Sequence, residues 1–491
     1  MAFDQHNRGD PFHKVRPGGP ADSPPDYVRA AVRRQVIELT QRPYKPTVRH
    51  TLLRSLQRRR QRWPSVLDAS LERLPFGFTD HTVTQFDFLP VNVGADTLLV
   101  RGELLITKQS YDGQYAPVAG NRCAKSYLDA LGVEAHEVDA PELRDRVLRL
   151  THDDMGPREL ADVAKVLRTQ GFSASLTYVT PTAGVQKSPP APAPPSPSPP
   201  SGSAPRMAAF SAPVSGGKPA KVAIIDTGIT AEVRTDGLLA NVPRARRYID
   251  PLDVFPYRGL RKGDGYLDFD AGHGTFVAGL VEQVAPEADI TVYRAIDSDG
   301  IASEVRVARE MIRAVKDGAQ IINLSLGCQT QDDAPPVAMQ AALDFIGEHE
   351  RKHRTEVLIV AAAGNNGNTA PFWPAAFRGV VSVAGLAPDM LPAQWSSRGF
   401  WVTFSTIGEG LRSTFVQGKA SPLVHPEPQS FDTDAFAYWS GTSFTAPQIT
   451  GALAWLYQHE GLSLREALRT LRAAGRPIPG FGQALKVLTG T

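Results

Sequence analysis

Four short motifs hold the side chains of this chain best suited to chemistry. Val222-Ala223-Ile224-Ile225-Asp226-Thr227-Gly228 delivers a carboxylate at the end of an apolar run. In open parallel sheets the carboxyl ends of strands are where ligands bind and side chains react. Gly272-His273-Gly274-Thr275-Phe276-Val277-Ala278-Gly279 sets a histidine between glycines, with little steric cover. Ala361-Ala362-Ala363-Gly364-Asn365-Asn366-Gly367 puts an amide in a turn of small residues. Ser440-Gly441-Thr442-Ser443-Phe444-Thr445-Ala446-Pro447 places a hydroxyl at what reads as the start of a helix continuing through Gly451, Ala452 and Leu456. A helix N-terminus offers unbonded N–H groups and a positive dipole end, and both favour negative charge beside that hydroxyl. A hydroxyl, an imidazole to take its proton, a carboxylate to orient the imidazole and an amide to hold an oxyanion are the parts of nucleophilic acyl transfer.

Taken singly, each motif also has an ordinary structural use. Asp226 can be a turn aspartate and His273 a core histidine. Asn365 suits a turn and Ser443 a helix cap. Asp-Thr-Gly after apolar residues also marks pepsin-like aspartic proteases, but those need two carboxylates sharing a proton. No second Asp-Thr-Gly occurs in this chain. Nor does Ser443 lie in the Gly-x-Ser-x-Gly elbow of α/β-hydrolases.

The elements that must position these groups are short apolar runs alternating with helical patterns. Lys221–Asp226, 290–295, 320–324, 357–362 and 380–383 are rich in Val, Ile and Ala, as strands buried on both faces must be. Helical segments between them, Glu304–Lys316 and 338–350, predict an α/β domain with a mostly parallel sheet.

In the order Asp…His…Asn…Ser, over about residues 220–475, the motifs resemble the subtilisin family. Asn323-Leu324-Ser325-Leu326-Gly327, Trp373-Pro374-Ala375 and Trp395-Ser396-Ser397-Arg398-Gly399 belong to the same resemblance. It implies a subtilisin-like three-layer domain and a serine endopeptidase. Ser443 would be the nucleophile, His273 the general base, Asp226 its orienting carboxylate and Asn365 an oxyanion donor. It also implies that Ser325, Leu326 and Gly327 pair with the substrate main chain. That segment, with Ala361, Ala362, Ala363 and Gly364, would line the pocket for the residue before the cut. Those walls are small and uncharged, which predicts a roomy pocket for apolar or aromatic side chains.

Two rivals fit less well. A sedolisin-like acid peptidase would not keep Gly-His-Gly-Thr, and a catalytically silent binding scaffold need not keep every expected residue. Some departures from the family are visible. Phe276 stands where many relatives carry a second histidine, and Phe444 where methionine is common. The chain from 280 to 285 runs almost directly to Pro286, without the longer loop that often wraps calcium in secreted relatives. No metal ligands or cofactor are therefore expected, although Asp264, Asp268 and Asp270 form either a solvated turn or a weaker cation site. Residues 416–435 read as a loop inserted ahead of Ser443.

The other half of the chain is less explicit. At 491 residues two or three domains are expected. Lys and Arg exceed Asp and Glu by only two, so no nucleic-acid partner is expected. The cluster of Arg54, Arg58, Arg59, Arg60 and Arg62 beside Trp63 reads as a solvated helix face. Two cysteines, Cys123 and Cys328, do not make a disulfide-stapled scaffold. The N-terminus carries no apolar signal-like stretch, and no apolar run reaches the roughly 18 residues of a membrane span. If Met1 is the true start, a cytoplasmic location follows.

Residues 1–25 read as a disordered tail, 26–186 as an α+β region with basic helices over 26–63, and 187–214 as a Pro-rich linker before a domain at 215–491. Leu160, Val163, Ala164 and Leu167 mark one helical face between strand-like stretches, a pattern that looks like part of a subtilisin pro-domain. About 18 Pro-rich residues in an extended helix would reach roughly 50 Å, so the linker reads as a semi-rigid spacer. The 26–186 region is accordingly expected to inhibit the C-terminal domain or to select its substrates, which would be proteins or peptides.

Overall fold

The computed structural model describes residues 26–40, 86–92, 95–112, 123–181, 190–193, 217–253, 265–298, 300, 302–421 and 429–490. The tail at 1–25, the basic cluster at 54–63 and Asp264 lie outside them. The first described element is helix α1, Asp26–Thr40. Strand β1, Phe86–Asn92, then pairs with the first half of β2, Ala95–Thr107. Strand β2 runs through Gly102, which has a left-handed φ of 69°. Short helices α2, Lys108–Tyr111, and α3, Ala124–Ala130, lead to β3, Glu134–Glu137, and β4, Val147–Thr151. Helix α4, Pro157–Thr169, and strand β5, Ala174–Val179, complete the unit.

Its strands lie in the order β3-β4-β2-β5, all antiparallel. Pro157 opens α4 in its first turn, where a missing N–H costs nothing. The α4 face Leu160, Val163, Ala164 and Leu167 packs with Leu104, Ile106 and Leu150 in one core. Leu105, one residue out of phase, turns to the other side of the sheet. There it joins Val138, Leu143 and Val147 against the C-terminal domain. Each such buried side chain contributes about 1.5–3 kcal/mol. The N-terminal unit is therefore packed on the domain that follows and not held at a distance.

A short strand β6, Ala191–Ala193, precedes the large sheet. That sheet contains β7, Lys221–Asp226; β8, Asp289–Arg294; β9, Ile321–Leu324; β10, Leu358–Ala362; β11, Val380–Leu386; and β12, Phe404–Ile407. After β13, Leu411–Thr414, come β14, Gly418–Lys419, β15, Ser430–Phe431, and β16, Phe436–Trp439. Strands β17, Arg476–Ile478, and β18, Gly482–Ala484, close the edge. The order is β17-β18-β12-β11-β10-β9-β7-β8, parallel except for β17. Alternation decides the layers. Val222 and Ile224 face helices α5, His273–Val284, α8, Ala446–His459, and α9, Leu464–Ala474. Ala223 and Ile225 face α6, Glu304–Lys316, and α7, Val337–His353. With a helical layer on each face, this is the three-layer α/β arrangement expected from the alternating runs.

The Pro-rich stretch departs from a plain spacer. Ala191, Pro192 and Ala193 pair antiparallel with Tyr438, Ala437 and Phe436 of β16. Proline is tolerated there because β6 is an edge strand that need not donate at every position. Helix α1 covers this edge, with Val28 and Val32 on Tyr438, and Leu39 on Ala393 and Trp395. Gln35 Nε2 donates to Tyr438 O at 3.0 Å, and Gln35 Oε1 accepts from Ser440 Oγ at 2.8 Å. No helix among the described residues is long and apolar enough to cross a membrane, and Cys123 and Cys328 are both free thiols.

Glu304, fully buried at the start of α6, joins the two halves of the chain. Its carboxylate accepts from Tyr178 N of β5 at 3.0 Å and from Ala338 N of α7 at 2.9 Å. Burial pushes this carboxyl up to about 8, against the pull of those donors. Released into water it returns toward its ordinary value of about 4.5. Between these values the native chain binds more protons than the unfolded one, so stability falls as pH rises. In a Ser443→Ala background the denaturation midpoint is expected to drop between about pH 5 and pH 8, with Glu304→Gln losing part of that slope. An identical pH dependence in both proteins contradicts this linkage.

Candidate active site

Asp226 ends β7 fully buried, and His273 opens α5. Thr227 N donates to Asp226 Oδ1 at 2.7 Å, and the same oxygen lies 2.7 Å from His273 Nδ1. Gly272, ahead of the histidine, has φ 77°. A Cβ there would stand 2.8 Å from Val416 Cγ2, so no other residue fits. The imidazole is backed by rings. Trp439 meets it edge-on at 5.3 Å and Phe444 lies at 5.3 Å. Phe276 packs on both of those rings. The two departures, Phe276 and Phe444, thus form part of the apolar wall behind His273.

Behind the pair sits Asp250, a residue that no local sequence signal marks. Its Oδ2 accepts from Thr227 Oγ1 at 2.8 Å and from Gly272 N at 2.9 Å. Thr227 Oγ1 in turn accepts from Gly274 N at 3.0 Å. Thr227 follows Asp226, and Gly272 and Gly274 flank His273, so Asp250 clamps the two backbones together. Burial pushes its carboxyl up to about 6, while the surrounding donors pull it down.

Ser443 does not begin the long helix as the sequence suggests. It lies in a single 3-10 turn, Thr442–Phe444, and α8 starts only at Ala446. Gly441, nearly extended at φ 150°, precedes the turn, Thr445 links it to α8, and Pro447 falls in the first turn of that helix. The Ser443 hydroxyl donates to Ser325 O at 3.1 Å, and the Ser325 hydroxyl donates to Ser443 O at 2.6 Å. Asn365 Oδ1 accepts from Thr442 N and from Thr442 Oγ1, each at 2.9 Å. Its Nδ2 faces Gly441, 3.3 Å from where a Cβ on that glycine would lie. Asp226 with His273, and Ser443 with Ser325 and Asn365, are thus two hydrogen-bonded groups. Phe444, next to Ser443, packs on the His273 ring and so sets the two groups side by side.

The residues expected to bind substrate divide. Ser325 and Gly327 line the cleft, whereas the Leu326 side chain is fully buried in the core under α6 and α7. Ala361, Ala362 and Ala363 send their methyl groups into three separate hydrophobic clusters. They shape the wall by being small and do not face the pocket. Gly364 does face it. Where a roomy pocket is expected between these walls, the ring of Phe372 stands between Gly327 and Gly364. The sequence hid this residue, since its neighbours in space are 45 and 8 positions away.

Beside residues 325–327 runs another stretch of the chain's own backbone, residues 179–181. Thr180 N, just after β5, donates to Ala302 O at 2.7 Å, and Val179 bridges Ser303 antiparallel. On the opposite edge Gly327 N donates to Pro181 O at 2.9 Å. The segment 179–181 thus lies as a strand between two edges, only one of which the sequence had marked. Of the three aspartates that read as a solvated turn or a weaker cation site, Asp264 lies outside the described residues and Asp268 accepts from Ser298 Oγ at 2.5 Å. Among the described residues no group of three or more His, Cys, Asp or Glu is placed to hold a metal ion. Residues 418–419 and 430–431 of the inserted loop pair as a small hairpin, whose Phe431 packs on Phe415.

Comparison with known proteins bears on this geometry. The model of the subtilase family matches residues 217–474. A thermophilic serine proteinase of Bacillus sp. strain AK1 is 27% identical over 285 residues, covering 55% of this chain and 60% of that protein. Thermitase of Thermoactinomyces vulgaris is 27% identical over 279 residues, covering 55% of this chain and 85% of that protein. Among solved structures, fervidolysin from Fervidobacterium pennivorans superposes with a TM-score of 0.52 at 20% identity, covering 79% of this chain and 60% of that one. This last likeness is one of fold, over a span longer than the C-terminal domain alone.

The clamp at Asp250 generates a prediction. Asp250→Asn keeps the volume but replaces one acceptor oxygen with a donor, leaving without an acceptor either Leu252 N or both Thr227 Oγ1 and Gly272 N. In a Ser443→Ala background it should cost about 1–3 kcal/mol of stability in denaturant unfolding. An unchanged midpoint would mean that the clamp carries no strength.

Proposed function

The chain belongs to the subtilase family, and from that premise we propose that it is a serine endopeptidase whose N-terminal unit holds its own cleft shut. The observation that carries this reading is the 2.7 Å contact of His273 Nδ1 with Asp226 Oδ1, with Phe444, the neighbour of Ser443, packed on the same imidazole. Ser443 Oγ attacks the carbonyl of the scissile bond as His273 Nε2 takes its proton. Before that, the hydroxyl turns from Ser325 O toward the imidazole, a small rotation of the kind expected between resting and reacting geometry. Asp226 keeps the proton of the ring on Nδ1, leaving Nε2 as the acceptor, and stabilises the imidazolium that forms. The tetrahedral oxyanion is held by Asn365 Nδ2 and by the Ser443 N–H. His273 then gives its proton to the leaving amine, and water repeats the sequence to release the acyl group.

The N-terminal unit acts by competition for the cleft. A substrate adds a strand between the two edges, and 179–181 already makes those main-chain bonds. Several anchors hold it there. Arg146 Nη1 is 3.1 Å from Glu348 Oε1, Arg313 Nε is 2.6 Å from Glu142 Oε1, and Leu105 and Val147 are buried on the same face. Activity then appears when this unit leaves the cleft.

Two outcomes test the reading. Asn365→Ala should lower kcat on a peptide substrate by about 10²–10³ while Ser443→Ala abolishes turnover; that magnitude comes from subtilisin itself. Equal kcat for Asn365→Ala and wild type rules out the assigned oxyanion donor. Thr180→Pro removes the N–H given to Ala302 O, and the initial hydrolysis rate of the full chain should rise several-fold. A rate that stays the same argues against blockade by the N-terminal unit.

A further inference from the structure

The space beside Ser443 has two backbone walls. The first, at Ser325 and Gly327, is tied to the nucleophile through both Ser325–Ser443 hydrogen bonds. The second, at Gly364 and Asn365, is tied to Thr442, with Gly364 N donating to Thr442 Oγ1 at 3.0 Å. The slot between them therefore opens at the reacting hydroxyl. Each wall presents a glycine to it. A Cβ on Gly327 would stand 2.3 Å from Phe372 Cε1, and one on Gly364 would stand 2.6 Å from Phe372 Cδ2. Those two carbons lie on opposite edges of one phenyl ring, so the ring fills the slot with an edge toward each wall. Phe372 is 1% exposed. Its base is fixed as well, because Trp373 exchanges two backbone hydrogen bonds of 2.9 Å with Cys328, next to the first wall.

We propose that Phe372 sets the substrate class, restricting cleavage to bonds that follow the smallest residues: Gly, Ala or Ser. The proposal rests on the endopeptidase reading above, because the slot selects the side chain on the acyl side of the cut bond. Interiors are packed as densely as organic crystals, so a slot that holds one ring has no room for a second. Forcing a large side chain in would displace the ring against walls that are themselves hydrogen-bonded to Thr442 and Ser443. The selection is steric and should not depend on salt.

The test uses the full chain and peptides identical except for Ala, Leu or Phe before the cut. The expected kcat/KM for the Leu peptide is lower than for Ala by roughly tenfold or more, and for Phe lower still, within the range that pocket size can discriminate. Phe372→Ala should raise the Phe-to-Ala ratio by at least roughly tenfold. Phe372→Leu, which keeps more of the volume filled, should raise the Leu-to-Ala ratio and serves if the smaller variant does not fold. Wild-type protein that cuts after Phe as well as after Ala overturns the inference and leaves the endopeptidase reading intact. A folded variant with the wild-type profile does the same. Hydrolysis of no peptide by either the full chain or its Thr180→Pro variant overturns the endopeptidase reading, and this inference with it.

Discussion

The hydrogen bond between His273 Nδ1 and Asp226 Oδ1 joins residues 47 positions apart, at the end of β7 and the start of α5. A bond of this kind survives only if both backbones are held to within tenths of an ångström. Asp250 supplies that restraint by accepting from the neighbours of both partners. The sheet supplies the rest: β7 runs between β8 and β9, so the carboxylate cannot shift without breaking two parallel ladders. Trp439, Phe276 and Phe444 then keep the imidazole in an apolar surround, where its contact with Asp226 is less weakened by solvent.

The same economy governs the cleft. Three groups beside it are tied to the turn that carries Ser443: Ser325 through Ser443 itself, Gly364 and Asn365 through Thr442. A turn this constrained needs residues without bulk around it, which explains three alanines whose methyl groups serve separate cores. The N-terminal half is built into this arrangement from two sides. Residues 179–181 bond to two backbone edges, one at Ala302 and Ser303 and one at Gly327, while α1 and β6 cover the strand that leads to Ser440.

The C-terminal architecture was legible because buried parallel strands leave a plain trace. The predicted runs differ from β7 to β11 by a residue or so at their ends, except that β11 continues to Leu386. The positions of Asp226, His273, Asn365 and Ser443 could be read because each sits in a distinctive local motif. What escaped was set by contacts between distant segments. Phe372 fills a slot whose walls come from two other strands, and Asp250 has no motif around it. Ala191–Ala193 becomes a strand because β16 offers an open edge, which composition alone cannot reveal. The sequence places the helix start at Ser443 because the 3-10 turn and α8 share one apolar pattern, with only Thr445 between them.

The central claim is that Ser443 is a nucleophile made reactive by His273. Its most direct test is reaction of the intact protein with a fluorophosphonate, followed by mass mapping of the modified residue. The account predicts a single adduct on Ser443, lost in a folded His273→Ala variant. An adduct elsewhere, or one on Ser443 formed equally fast without His273, would contradict it.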